Sequence, residues 1–409
     1  MSTQTCAAPT STGEGRARLV TGPLALVFLA GFGVLASFEL LLSVMPMYVS
    51  GAGSAGAGLV TGVLLLGTVA AEAGSAYLIA RLGYRPALAA GSVLLGVPAL
   101  AMLTRIPLVL VAATTLIRGF GFGLTTVVIG ALVAEMLPPD RRGEGLGLYG
   151  IVDGIPQVLA LPAGVWLAGH CGYPLVAVLA AGFALAPIAV VPLLPATPDA
   201  ATPDAATPDA ATPDAATPDA EAGDIGMLAA LRGHGQLIPG MIFATTTVAG
   251  GVIVSFLPLT RGVSANVAAT GLLAQALTAT VTRWWAGKYG DRHGHARLMA
   301  PALIIATAGL AMMVLPLSPV MVIAGMSLFG AGFGIMQNAS LALMMDRMPA
   351  SGLGTASALW NLAYDAGYGA GPAAFGLTAG HTGYAAGFGL TAAVMLVALP
   401  AAIRQKNHR

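Results

Sequence analysis

Twelve stretches of about twenty apolar residues follow one another along this chain, and each is long enough to cross the hydrocarbon core of a bilayer. They lie at 23–49, 57–80, 86–104, 107–135, 145–168, 173–194, 236–259, 266–288, 297–315, 319–345, 353–379 and 383–403. Only 9% of the 409 residues are charged, whereas a soluble domain carries about 25%. The sequence therefore predicts an all-α membrane protein with twelve transmembrane helices.

The basic residues predict how these spans are oriented. Cytoplasmic loops carry an excess of Lys and Arg. With both termini placed inside, Arg105 and Arg261 alone among the loop and tail cations fall outside. Arginine far outnumbers lysine, and Ala and Gly are abundant, which is typical of GC-rich bacterial genomes. We expect a multi-pass protein of the cytoplasmic (inner) membrane of a bacterium, with cytoplasmic N and C termini.

The chain reads as two copies of one six-span unit. Residue n of the first half aligns with residue n + 211 of the second, so that Gly119–Gly123 falls on Gly330–Gly334 and Gly83 on Gly294. Between the halves, ATPDA is repeated five times at 196–220; regular Pro prevents a helix and repeated Asp favours disorder. The predicted parts are a tail (1–20), a six-helix bundle (21–195), a disordered cytoplasmic linker (196–235), a second six-helix bundle (236–403) and a tail (404–409).

Short motifs at equivalent places in the halves carry a resemblance to a known family. After span eight the pattern G-x-x-x-D-R-x-G is complete, with Gly287, Asp291, Arg292 and Gly294. The first-half copy keeps Arg81, Gly83 and Arg85 but has Ala80 where the Asp belongs, and span four carries Arg118-Gly119-Phe120-Gly121. With twelve spans and a duplicated half, the chain resembles the major facilitator superfamily.

That resemblance implies two pseudo-symmetric six-helix bundles that move about a central substrate site near the membrane midplane. In the family, span two meets span eleven and span five meets span eight. The Asp of the G-x-x-x-D-R-x-G loop caps a helix of the other half and latches the cytoplasmic side. Ala80 removes that Asp from the first-half copy, so the first-half latch is expected to be absent.

Ionisable groups inside spans are costly and are functional candidates by default. Glu39 lies mid-span in span one and Arg118 in span four, and both spans line the cavity in the resembled fold. Burial raises the pKa of a carboxyl group and a neighbouring cation lowers it. We predict that Glu39 carries a proton and that Arg118 tunes it. Direct substrate contact and a static ion pair are the alternatives.

Four further intramembrane charges are Glu72, Asp153, Arg283 and Asp365. Glu72 and Arg283 are equivalent under the 211-residue offset. Arg283 is a candidate partner for Asp153 across the boundary between the halves, as a charge lock that also involves Glu72. Proximity of Glu72 to Asp365 would place two acids together, and the sequence leaves that contact open.

Polar and aromatic residues within the spans are candidates for lining a substrate cavity, with hydrogen bonding to neighbouring helices as the alternative. They are Phe38, Gln157, Gln275, Gln337, Asn338, Trp360, Asn361, Tyr364 and Asp365.

The chain shows no Walker or Rossmann pattern, no His/Cys cluster and no nucleophilic serine turn. We therefore expect no enzyme activity, no cofactor, no metal and no nucleic-acid partner. The predicted function is secondary active transport of a small molecule by a monomer in the bilayer, as proton-coupled export. Proton-coupled uptake or facilitated diffusion of a sugar or organic acid is the alternative, and a non-transporting membrane sensor is a third.

Overall fold

The computed structural model describes residues 21–137, 142–194, 235–314, 318–349 and 352–405; of residues 142–147, 151 and 153 it describes the backbone only. Helices and short turns make up this part of the chain, which contains no strand. The predicted tails and nearly all of the predicted linker lie outside the described residues.

Twelve long helices follow one another. In the first half they are α1 (Gly22–Leu42), α2 (Gly53–Leu82), α3 (Tyr84–Gly96), α4 (Leu108–Met136), α5 (Arg142–Cys171) and α6 (Tyr173–Val190). In the second half they are α7 (Leu237–Phe256), α8 (Ala265–His293), α9 (Ala296–Ala311), α10 (Pro319–Asp346), α11 (Leu353–Thr382) and α12 (Tyr384–Val397). Short helical segments extend α1 through Tyr48, α3 through Leu103 and α12 through Gln405.

Ten of these helices combine the length and the hydropathy of a membrane span. The other two, α8 and α11, have 29 and 30 residues, or about 45 Å at the usual helical rise. Their length suffices, but α8 carries Arg283 and Lys288, and α11 carries Asn361 and Asp365. These polar residues lower the hydropathy of the two helices, both of which lie where the halves meet. The predicted fold class, an all-α protein with two six-helix bundles, is confirmed.

Sequence signals set where several helices begin and end. The side chains of Thr21, Ser264 and Ser318 cap α1, α8 and α10 by accepting a backbone N–H three residues later. At the ends of α2 and α8 the chain turns through Gly83 and Gly294, with φ of 76° and 90°. Only glycine adopts this conformation readily. The two glycines are 211 residues apart, so the turn repeats with the sequence.

Each half has the same internal packing. Helix α2 packs on α4 as α8 packs on α10, and α1 packs on α5 as α7 packs on α11. The aligned glycine motifs make the first contact possible. A Cβ atom at Gly119 would overlap the carbonyl oxygen of Leu64, and one at Gly330 would overlap that of Gln275. The glycines of these motifs therefore pack helices together, as small residues do in membranes.

The halves meet along two pseudo-symmetric contacts, α2 with α11 and α5 with α8. Both agree with the arrangement that the family resemblance implies. Because each half has six helices, the start of α1 and the end of α12 lie on one face of the protein. We call this the terminal face and the opposite one the distal face.

Candidate functional site

Glu39 lies at the boundary between the halves. Its side chain is only 7% exposed, although it belongs to α1 of the first half. It is close enough to the hydroxyls of Tyr364 and Tyr368 on α11 to act on them electrostatically. A carboxyl group in this position belongs to the first half and lies within electrostatic range of the second.

Arg118 reaches the segment of α1 that carries Glu39. Its side chain is 1% exposed. Nε donates to the carbonyl oxygen of Leu95 on α3 at 3.2 Å, and Nη2 donates to that of Ser37 on α1 at 3.4 Å. Ser37 precedes Glu39 by two residues. A buried cation is thus attached to the backbone beside the candidate proton carrier, while its Nη1 atom has no hydrogen-bond partner among the described residues.

Phe38 helps hold this segment in place. Its ring stacks on that of Phe122 on α4, with centroids 3.8 Å apart and planes 16° apart. Phe38 is itself buried. The predicted cavity residue therefore packs within the first half, where it supports the backbone next to Glu39.

The second half faces Glu39 with an aromatic cluster. Trp360 stacks on Phe243 of α7 at 4.7 Å, and its Nε1 donates to the Ser340 hydroxyl of α10 at 2.9 Å. Tyr364 stacks on Tyr368 at 5.4 Å. Phe333 of α10 lies with its ring centroid 6.3 Å from that of Tyr364. Trp360 and Tyr364 were predicted from the sequence, whereas Tyr368, Phe243 and Phe333 were not. The spacing of Trp360, Tyr364 and Tyr368 by four residues places all three on one face of α11, and it could have revealed Tyr368.

Gln157 connects the two halves at this cluster. It lies on α5, and its side chain hydrogen-bonds that of Tyr364 on α11. Gln157 and Tyr364 are two predicted cavity residues that the structure brings together.

The other predicted polar residues stand apart from Tyr364. Gln275 and Gln337 are buried on α8 and α10. The Asn338 amide lies beside Gly287 of α8, and Asn361 is exposed. Within the described residues, none of these four shares a hydrogen bond with Tyr364. Their placement is compatible with the packing alternative.

Of the predicted intramembrane charges, Glu72 and Asp365 are in contact. The Glu72 and Asp365 side chains share a hydrogen bond between α2 and α11, although they belong to different halves. Arg283 is exposed on α8 and lies within electrostatic range of the Tyr364 hydroxyl. The Asp153 side chain lies outside the described residues, so the predicted lock with Arg283 stays a prediction.

The second-half loop motif makes contacts within its own half. Asp291 is an exposed residue near the end of α8, 3.6 Å from His295, which is 3.5 Å from Asp346 at the end of α10. Arg292 is exposed. Within the described residues, Asp291 contacts its own half. The side chains at the start of α5, which packs on α8 from the other half, are outside the described residues, so the second-half latch stays a prediction.

The first-half loop is likewise held within its half. Arg85 donates to the carbonyl oxygen of Leu194 after α6, and the Arg81 guanidinium lies 4.7 Å above the ring of Tyr77. Gly83 forms the turn between α2 and α3.

Two further polar contacts between the halves, among the described residues, lie toward the distal face. The Ser54 hydroxyl on α2 bonds to the carbonyl oxygen of Gly376 on α11, and the buried hydroxyls of Thr61 and Ser255 are 2.9 Å apart. Gly58 packs on the Pro372 carbonyl in the same region. Ser255 lies on α7, and we call this contact of α2 with α11 and α7 the distal seam. No metal-binding group of three or more His, Cys, Asp or Glu occurs in the described part of the chain.

Comparisons with known proteins agree with this geometry. A family model of the Major Facilitator Superfamily matches residues 27–372. The crystal structure of the nucleoside transporter NupG superimposes with a TM-score of 0.73 at 12% identity, covering 95% of this chain and all of the other. A bacterial homolog of the human lysosomal transporter Spinster, in an inward-facing and unoccupied conformation, gives a TM-score of 0.75 at 14% identity, covering 94% and 96%. Among curated protein sequences, none matches.

Proposed function

Since the chain belongs to the Major Facilitator Superfamily, we propose that this membrane transporter exports a small organic molecule in exchange for protons across the cytoplasmic membrane of a bacterium. The terminal face would then be cytoplasmic, with both chain ends inside, and the working unit would be a monomer. The observation that carries the proposal is the buried carboxyl group of Glu39 at the boundary between the halves.

The arrangement of contacts supports alternating access. Among the described residues, contacts between the halves lie at the distal seam and at mid-depth, whereas the polar contacts of Arg85 and Asp291 near the terminal face stay within one half. Two similar bundles can rock about a central site. The arrangement corresponds to a transporter that is closed toward the distal face.

We assign proton coupling to Glu39 because two features of its surroundings act on its charge in opposite directions. Burial in a medium without water favours the neutral carboxyl group, whereas the cation of Arg118 behind α1 favours the charged one. The neighbouring hydroxyls of Tyr364 and Tyr368 belong to the other half. A change of charge at Glu39 is therefore felt across the boundary, which a static ion pair inside one half would not achieve.

The surroundings favour an apolar or aromatic substrate with few polar groups. Tyr364 is partly exposed, with the buried rings of Trp360 and Phe243 packed beside it, and Gln157 offers an amide that already bonds across the boundary. Ligand sites are predominantly apolar, with a few placed polar groups that orient the ligand. A sugar carrier would need more hydrogen-bonding side chains.

The test begins with a toxicity panel that compares deletion and overexpression strains and identifies one transported compound. Proteoliposomes containing the protein and a trapped pH-sensitive dye are then given that compound under an imposed pH gradient. We expect opposite movement of protons and compound, and loss of gradient-driven transport in Glu39→Gln. Glu135→Gln is the control, because Glu135 is an acid that accepts a hydrogen bond from Tyr84 at the terminal end of α4, away from Glu39.

Glu39→Gln that keeps full gradient-driven transport would disprove the coupling role. Movement of protons and compound in the same direction would replace export by uptake, and transport that is indifferent to the gradient would indicate facilitated diffusion.

A further inference from the structure

Glu72 and Asp365 are acids of opposite halves that share a hydrogen bond between α2 and α11. Two carboxyl groups can hydrogen-bond only when one of them holds a proton, since a carboxylate has acceptors but no donor. We propose that this pair is a proton-dependent clasp: it holds the halves together at the distal seam while protonated, and repels them apart when both acids are charged.

The position of the pair fits this role. Glu72 lies ten residues before the end of α2, and Asp365 lies twelve residues after the start of α11, so both are about 15–18 Å from the terminal face. They stand at the terminal-side limit of the distal seam. Beyond them toward the distal face, Ser54 and Gly58 of α2 pack directly on the α11 backbone.

The close packing of the seam makes it sensitive to repulsion at its edge. A Cβ atom at Gly58 or Gly376 would overlap the backbone of the opposite helix, so these helices are already at their closest approach. Two negative charges a few ångströms apart repel each other more strongly in a medium of low polarity than in water. The helices can relieve that repulsion by separating.

The clasp is accessible from one side. Glu72 and Asp365 are partly exposed, and Arg283 near Tyr364 is exposed, whereas Ser255 and Thr61 in the seam are buried. If the halves are open toward the terminal side, as the proposed function has it, the proton of the pair would exchange with water on that side. Water on that side would set the protonation of the clasp.

Other charged groups near α2 and α11 do not neutralise the pair within the described residues. Helices α7 and α12 carry no charged residue. On α4, Arg118 is bonded to α1 and α3, and Glu135 to Tyr84; on α10, Asp346 pairs with His295. Glu39 on α1 and Arg283 on α8 act on Tyr364 beside Asp365. Asp153 on α5 has no described side chain.

The pseudo-symmetric counterpart of this contact, between α5 and α8, carries a different charge. The position on α8 that is equivalent to Glu72 is Arg283, a cation that cannot form an acid pair. The seam between α2 and α11 thus has a protonation-dependent element that the α5–α8 contact lacks at the same place. The two inter-half contacts would respond differently to pH.

The test measures conformation and needs no substrate. Spin labels are placed at R105C and R261C, on exposed distal loops of opposite halves, in a full-length C6S/C171S background reconstituted in nanodiscs. Pulsed electron paramagnetic resonance then gives the distance distribution at pH 5 to 9. In the parent we expect a short distance at low pH and a longer one at high pH. If the proton affinity of the pair differs tenfold between the two conformations, the ratio of their populations changes by about tenfold across the pH range.

Glu72→Gln and Asp365→Asn each remove the charge and keep a hydrogen-bonding group. Both should hold the short distance at every pH, whereas Glu135→Gln should keep the response of the parent. Retention of the pH response in both variants would overturn the clasp, as would a parent distance that does not change with pH. The two variants are independent, so misfolding of one leaves the other decisive.

Alternating access is the only part of the proposed function on which the clasp depends. Loss of the pH response in the Glu72 and Asp365 variants would support the clasp even if Glu39→Gln kept full transport. If the Glu72 and Asp365 variants kept the pH response and Glu39→Gln lost gradient-driven transport, the results would support coupling at Glu39 without the clasp.

Discussion

The hydroxyl of Ser54 on α2 donates a 2.8 Å hydrogen bond to the carbonyl oxygen of Gly376 on α11, which joins residues that lie 322 positions apart and in opposite halves. Hydroxyls bonding to a neighbouring helix are a common device in membranes, where no water competes. The bond depends on a close approach of the two backbones, and glycines supply that approach.

Gly58→Ala should disturb this approach. Its Cβ atom would overlap the carbonyl group of Pro372, so α2 and α11 must move apart. We expect a loss of about 1–3 kcal/mol of stability, measured by thermal unfolding of the purified protein. Gly74→Ala on the same helix has open space around its new methyl group. It should be neutral or stabilising by up to about 1 kcal/mol, and equal losses in both variants would contradict the role of the seam.

Arg118→Lys should be costly although it keeps the charge. Lysine cannot reproduce both the bond of Nε to Leu95 and that of Nη2 to Ser37, because it lacks the planar fork of guanidinium donors. We expect a loss of about 3 kcal/mol in thermal unfolding. Arg292→Lys, on an exposed side chain, should change stability by less than about 0.5 kcal/mol. A neutral Arg118→Lys would show that the two backbone bonds do not stabilise the first half.

Trp360→Phe separates the two contacts of this indole. The ring stack on Phe243 can remain, whereas the hydrogen bond from Nε1 to the Ser340 hydroxyl is lost. A loss of about 1 kcal/mol is expected. In a double-mutant cycle with Ser340→Ala, the combined loss should be smaller than the sum of the single losses. Strict additivity would mean that the bond contributes nothing to stability.

The two native cysteines test the proposed orientation. Cys171 is exposed at the distal end of α5, and Cys6 belongs to the N-terminal tail. In intact cells a membrane-impermeant maleimide should label Cys171 and leave Cys6 unlabelled. Variants with one cysteine replaced by serine assign each signal, and permeabilised cells show that Cys6 can react. Labelling of Cys6 alone in intact cells would reverse the orientation.

Much of the fold could be predicted from the sequence because its signals are local. A run of apolar residues long enough for the bilayer forms a helix wherever the rest of the chain lies. The turn at Gly83 and its counterpart at Gly294 depend on the residues around them. The 211-residue repeat then implies that both halves pack alike, which the structure shows for α2 with α4 and α8 with α10.

The candidate site was predictable as a set of residues but not as an arrangement. The cost of burying a charge marks Glu39, Glu72, Arg118 and Asp365 in the sequence itself. Which of them meet depends on helix rotation, and an apolar helix in lipid has little polar face to indicate its rotation. Tyr368 illustrates the point, because it reads as an ordinary aromatic residue until α11 places it beside Glu39.

The sequence by itself thus determined the spans, the duplicated halves and the inventory of buried charges, because length, hydropathy and repetition act within short segments. Tertiary structure alone decided that Glu72 meets Asp365 and that Gln157 meets Tyr364. Each of these pairs joins residues of different halves, and their contact exists only when two bundles dock in one particular relative position.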